Sequence, residues 1–400
     1  SNSIGQDLTD SPNSVDQFQD RLQDIEAQTG KKSAIVYVIA RADWLDLIVL
    51  TADGEPIYHR VTDAPQAQLV PSIRELRVNI TNPRQRGSQS YLNASQKLYE
   101  WIVAPIEDDL EKHQIDVLLF SMDGGLRSIP IAALHDGDRF LVEKYSLGLI
   151  PSINLTDTSY ESLQNASVLA MGASEFKNQP PLPAVPIELS AIVRNSSEIS
   201  PLGINGLWQG RSFLNEDFTL NNLKAERDAH LYRIVHLATH AEFQSGRTGA
   251  AYIQFWDSKL TVDRLRLLTQ NESPIELLVL SACRTGVGDD DSMELGFAGL
   301  AVQAGVKSVL ASLWYVSDQG TLALMREFYR QLQLEDVPLK AEALSAAQRD
   351  ILHGNVRIED GQLIGTNWSL PLPPELVSLP DGDFSHPYFW AGFTMIGSPW

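Results

Sequence analysis

Three short apolar runs, 232–238, 275–281 and 307–312, are separated by stretches with helical spacing, and this alternation constrains the fold more than any other feature. Helices are expected around 261–268 and 293–304, between the runs, and at 318–333 and 340–353 after them. Strands joined by helices read as an α/β, doubly wound, mostly parallel sheet with helices on both faces. In such sheets ligands and chemistry gather outside the carboxyl ends of the strands.

Two chemical groups leave the strands at that edge. The run 232–238 leads into Thr239 and His240, and the run 275–281 leads into Ala282 and Cys283, the only cysteine in 400 residues. A thiolate is the nucleophilic form of cysteine, and a nearby imidazole favours it by taking its proton. A lone Cys with a distant His is therefore a candidate nucleophile and base. Ser281, Ala282, Thr285 and Gly286 leave room for a peptide backbone, and the backbone N–H groups of Cys283 and Ala241 could form an oxyanion hole. On these residues alone a second reading stands beside the first: Cys283 as a small buried hydrophobe and His240 as a satisfied loop histidine.

His236 lies four residues before His240 and, by strand alternation, on the same side. A zinc site from His236, His240 and Cys283 is conceivable, but zinc usually takes three or four supported protein ligands. No second cysteine is present and the two rings stand two residue-pairs apart, so no metal and no cofactor is expected, and His236 is read as a packed or orienting residue. Asp289, Asp290 and Asp291 follow the cysteine; they read as a solvated acidic turn or as an acidic rim for a basic peptide. Three adjacent carboxylates lack the alternation of an EF-hand calcium loop.

The chain carries 31 basic and 51 acidic side chains, a formal charge of −20. Such a surface repels phosphate backbones and anionic lipid, so neither nucleic acid nor membrane is an expected partner. No apolar stretch reaches spanning length, no signal pattern opens the chain, and a single cysteine excludes an internal disulfide. A cytoplasmic location follows as the expectation. The opening Ser1-Asn2 carries no initiator Met, as expected of a processed or cloned piece of a longer chain.

Three segments are expected. Residues 1–30 are a polar tail and an amphipathic helix, with Val15, Phe18, Leu22 and Ile25 on one face. Residues 31–160 form an α/β unit with strands at 34–39, 45–50, 57–61, 116–120 and 145–150 and a helical stretch at 91–112. Residues 161–400 hold the strand 167–171, a helix at 187–198, the alternating strands, an irregular Pro- and Gly-rich excursion at 355–385 and an apolar closing strand.

Several ordered motifs carry a resemblance. They are Val235-His236-Leu237-Ala238-Thr239-His240-Ala241-Glu242-Phe243, Leu278-Val279-Leu280-Ser281-Ala282-Cys283-Arg284-Thr285-Gly286, Gly296-Phe297-Ala298-Gly299-Leu300, Ala311-Ser312-Leu313-Trp314-Tyr315-Val316-Ser317-Asp318 and His386-Pro387-Tyr388-Phe389-Trp390-Ala391-Gly392-Phe393. Together they resemble the CHAT domain, a relative of caspases and separases often fused behind tetratricopeptide repeats. The resemblance covers roughly residues 33–400. It implies a caspase-like fold in which a pseudo-caspase unit precedes the peptidase unit. It places the base at His240 and the nucleophile at Cys283. Ala241 stands where many relatives carry Gly, and a Cβ there would matter if the backbone needed positive φ.

The resemblance thus implies a cysteine endopeptidase acting on protein or peptide substrates, regulated by an upstream repeat region or a regulatory protein. The alternative is a catalytically silent CHAT scaffold that binds a protein partner. The run 313–318 also looks like the separase segment in which an acidic pocket receives arginine. Asp318 would then face a basic P1 side chain and Trp314 would wall the pocket, with Asp289, Asp290 and Glu294 adding to the field. The competing role for Asp318 is capping a helix that begins near Gln319.

Overall fold

The computed structural model describes residues 13–151, 156–194, 203–242, 252–269, 274–281, 296–377 and 382–400. The strands of the first half are β1 (Ser33–Ala40), β2 (Leu45–Leu50), β3 (Ile57–Val61), β4 (Val117–Met122) and β5 (Ser146–Leu149). The second half contributes β6 (Val168–Gly172), β7 (Val193–Arg194), β8 (Trp208–Leu214) and β9 (Ile234–Ala238). Three short strands follow, β10 (Ala241–Glu242), β11 (Tyr252–Gln254) and β12 (Lys259–Thr261), and then β13 (Leu277–Leu280) and β14 (Ser308–Ser312). The last are β15 (Arg357–Glu359), β16 (Gln362–Gly365), β17 (Trp368–Pro371), β18 (Gly382–Asp383) and β19 (Phe393–Gly397).

Twelve of these form one sheet in the order β3-β2-β1-β4-β5-β19-β14-β13-β9-β6-β8-β7. The run β14-β13-β9-β6-β8-β7 is parallel throughout, as expected from the alternation of strands and helices. Strands β4, β6, β9, β13 and β14 are buried along their whole length, which is why they read as unbroken apolar runs. The closing strand β19 returns to the middle of the sheet, antiparallel to β14 and parallel to β5, and so joins the two halves.

The N-terminal helix Asn13–Thr29 lays Phe18, Leu22 and Ile25 against one face of the first half, beside Ile35, Tyr37, Leu119, Leu339 and Trp400. Two expectations are corrected. The helix expected at 187–198 is Val185–Ile192 and gives way to β7, where Val193 and Arg194 pair with β8. The segment expected to be irregular, 355–385, holds the antiparallel sheet β17-β16-β15-β18. Its turns use Asp360, Gly361 and Asn367 at positive φ, and Ile358, Leu363 and Leu370 are its buried residues.

Strand order reverses at β6. From β6 the chain runs through the helix Val185–Ile192 to β7 and β8 on one side, then through the helix Leu220–Ala229 to β9 on the other. A crevice at the carboxyl ends of the strands is expected at such a switch point. Gly172 closes β6 there; a Cβ on it would sit 2.4 Å from the Ala238 carbonyl oxygen, so only glycine lets the two strand ends meet this closely.

Candidate active site

His240 leaves β9 through Thr239, whose Oγ1 donates to the Gln254 carbonyl at 2.6 Å. The His240 carbonyl accepts from Gln254 N at 2.9 Å, so the small sheet β10-β11-β12 fixes the backbone of the histidine. The imidazole packs edge-on against Phe176, with ring centroids 4.6 Å apart. Its Nε2 lies 2.8 Å from the Pro180 carbonyl oxygen. A carbonyl only accepts, so the proton sits on Nε2 and Nδ1 keeps the lone pair.

The neighbouring strand ends in register with β9: Leu280 pairs with Leu237, and Ser281 N donates to the Leu237 carbonyl at 3.0 Å. Cys283, Asp289, Asp290, Asp291 and Glu294 lie outside the described residues. Ala241 lies in β10, opposite Ile253, and is not among the residues of positive φ, so its position makes no demand for glycine.

Beside His240 a cleft opens at the carboxyl ends of β9, β13 and β14, lined by Leu182, Val185, Glu188, Thr239, Ser281, Ser312, Tyr315, Val316 and Asp318 among others. Asp318 opens the helix Asp318–Gln331, but the residue that caps it is Ser317, whose Oγ accepts from Gly320 N at 3.3 Å. The capping role expected of Asp318 therefore falls to its neighbour, and its carboxylate is turned to the cleft, 3.4 Å from the Tyr315 hydroxyl. Burial pushes the Asp318 carboxyl above the usual carboxylate range, the negative charge of Glu188 adds to this, and the Tyr315 hydroxyl and His240 oppose it.

Trp314 is placed differently from the expectation that it walls the pocket. Its indole is 4% exposed and donates from Nε1 to the Tyr388 carbonyl at 3.0 Å; Tyr315 and Val316 line the cleft in its stead. Gly392 makes room for the indole, since a Cβ there would lie 2.9 Å from it. Trp314 thus anchors the cleft wall to the closing motif 386–393.

His236 is fully buried, with Nδ1 3.2 Å from the Tyr329 hydroxyl and Nε2 3.0 Å from Glu188 Oε1. The second contact is close but poorly aligned for a hydrogen bond. Both ring nitrogens therefore face protein groups, as suits an orienting residue. Glu188 belongs to none of the sequence motifs. The available signal is a lone carboxylate in the apolar helix Val185–Ile192, where it is 2% exposed.

A large, mostly parallel sheet flanked by helices, with a cleft at its carboxyl edge, is the architecture of the caspase-like peptidases. The CHAT domain profile matches residues 92–398, and the chain belongs to that family. Two crystal structures of the Saccharomyces cerevisiae separase–securin complex align with 95% of this chain at 9% and 10% identity, with TM-scores of 0.52 and 0.53. The chain spans 31% of the chain it matches there. The Arg-specific cysteine proteinase gingipain R of Porphyromonas gingivalis aligns with 92% of this chain and 77% of its own length, at 11% identity and a TM-score of 0.43. No curated protein sequence matches the chain. Among the described residues no helix is long and apolar enough to cross a membrane.

Proposed function

We propose that the chain is a cysteine endopeptidase with a Cys283–His240 dyad, cleaving after a basic residue. The observation that carries this is the register of β9 and β13. His240 lies three residues beyond Leu237 and Cys283 three residues beyond its partner Leu280, on adjacent parallel strands. Equal sequence offsets from two paired strand positions support a thiol and an imidazole that act together at this edge.

His240 Nδ1 takes the proton of the Cys283 thiol, and the thiolate attacks the carbonyl carbon of the scissile peptide. The carbonyl π pair moves to oxygen, where backbone N–H groups of Cys283 and Ala241 would stabilise it. On collapse the C–N bond breaks and the imidazolium gives its proton to the leaving amine. His240 then deprotonates a water that attacks the thioester, releasing the acid and restoring the thiol. The Pro180 carbonyl holds the imidazole in the tautomer these steps need.

Both Cys283→Ala and His240→Ala should lose at least about 10³-fold in peptide hydrolysis, because members of a catalytic unit fail together. The check is turnover of a peptide library alongside alkylation of Cys283 at neutral pH. Wild-type turnover in His240→Ala would overturn the dyad. An inert Cys283 in a chain that still binds a protein partner would favour the silent scaffold.

A further inference from the structure

Glu188 occupies an unusual electrostatic position. It is 2% exposed, yet it lines the cleft together with Asp318, and its charge is felt at the Asp318 carboxyl. Its Oε1 accepts from Ser281 Oγ at 2.5 Å and lies 3.0 Å from His236 Nε2. Burial holds the Tyr329 hydroxyl in its protonated form, so the phenol can donate to His236 Nδ1 and leave an N–H on Nε2 facing Glu188. The hydrogen bond that orients this carboxylate thus comes from a hydroxyl, Ser281 Oγ.

Among the described residues no Lys or Arg forms an ion pair with Glu188 or Asp318. Buried charges in folded proteins are as a rule paired, because desolvating an isolated one is costly. Among the described residues, then, the two carboxylates of this cleft have no lysine or arginine between them. We propose that Glu188 is a specificity-determining residue: with Asp318 it forms a two-carboxylate receptor for the arginine side chain of the substrate, which supplies a counter-charge. Its kinetic consequences rest on the peptidase assignment above; its binding consequences do not.

Arginine suits this receptor better than lysine. A guanidinium offers five N–H donors in a planar fork and can bridge two carboxylates, whereas an ammonium is a compact, strongly hydrated point charge. The cleft is also lined by the hydroxyl residues Thr239 and Ser281 and by apolar side chains such as Leu182, Val185 and Val316. A neutral isostere of arginine would gain the apolar contacts and lose the charge, so it isolates the electrostatic contribution.

The experiment compares peptides carrying arginine, lysine or citrulline at P1. Hydrolysis is measured with wild type, Glu188→Gln and Asp318→Asn, and binding by calorimetry with Cys283→Ala and its Glu188→Gln double variant. Wild type should favour arginine over citrulline by about 100-fold or more, and Glu188→Gln should shrink that ratio at least about tenfold. Asp318→Asn should keep a residual arginine preference of about tenfold, owed to Glu188. A folded Glu188→Gln with an unchanged ratio would overturn the proposal. Should Glu188→Gln not fold, loss of all charge preference in Asp318→Asn would overturn it equally. If no peptide is hydrolysed but the Cys283→Ala chain binds the arginine peptide in a Glu188-dependent way, the receptor stands and the peptidase assignment falls. Hydrolysis indifferent to Glu188 would do the opposite, leaving the peptidase in place and overturning the receptor.

Discussion

Asp318 shows how a single side chain can be costly to the fold while serving, under the proposed function, the site. Its carboxyl is raised by burial first and by Glu188 second. A raised carboxyl value means that the folded state holds the proton more tightly than the unfolded chain. Ionised Asp318 therefore destabilises the fold; the penalty is full above its raised folded value, fades as pH falls toward the unfolded value of about 4, and is gone below it. Asp318→Asn should accordingly gain about 1 kcal/mol at pH 7, a gain that vanishes below about pH 4. The same variant should lose about tenfold in kcat/KM on arginine substrates, with Cys283 alkylation unchanged. Melting curves across pH test the first half; an equal or lower Tm at neutral pH would refute it.

At the scale of elements, the closing helix Pro387–Trp390 carries a titratable cap. His386 Nδ1 accepts from Tyr388 N at 3.2 Å, and Pro387 supplies a first helical residue with no N–H to satisfy. Burial and, secondarily, Arg86 push the His386 imidazole down to about 4. The unfolded chain titrates near 6.5 and binds the proton that the folded cap refuses, so stability rises with pH between about 4 and 6.5 and is level above. His386→Asn keeps a capping side chain and should flatten that slope, on the order of 2 kcal/mol across the window. Denaturant midpoints of the two proteins at pH 4.5 and 7 decide it; parallel slopes would show that another group titrates.

The same elements show what the sequence could and could not reveal. Strands β2 and β3 were legible to the residue because apolar runs flank an Asp53-Gly54 turn, and the buried parallel strands were legible from composition. Strand β8 was not: Gln209, Arg211 and Ser212 give it the half-exposed pattern of a strand near a sheet edge. The helix Gln66–Thr81 was hidden by Pro71, although Leu69, Ile73, Leu76 and Ile80 form its buried stripe. At the site, His240, Ala241, Trp314 and Asp318 were in view because they belong to motifs. Glu188 was not, because its role depends on the packing of one helix against the ends of two strands.

For the whole molecule, the continuous sheet makes the first half a structural partner of the cleft. The helix Lys340–Leu352 ties the halves together: Ser345 Oγ accepts from Leu147 N at 3.2 Å and Arg349 donates to the Val142 carbonyl at 3.1 Å. Lys31 pairs with Glu342 at 2.5 Å, and the Trp400 indole donates to Ser33 Oγ at 3.2 Å. Such ties predict that both halves unfold together. Most direct for function is Arg77, on the helix Gln66–Thr81. Its Nη2 donates to the Leu313 carbonyl at 3.2 Å and its Nη1 to the Ser128 carbonyl at 3.4 Å. Leu313 precedes the cleft wall, so a first-half guanidinium braces the segment that presents Tyr315 and Asp318. Arg77→Ala should cost about 1 kcal/mol of stability and about tenfold in kcat/KM. Arg77→Lys should recover only part of the activity, since an ammonium lacks the planar fork that reaches both carbonyls. Kinetics and melting curves on the three proteins separate the two effects. Full activity in Arg77→Ala at the same loss of Tm would mean that the first half supports the fold and leaves the cleft untouched.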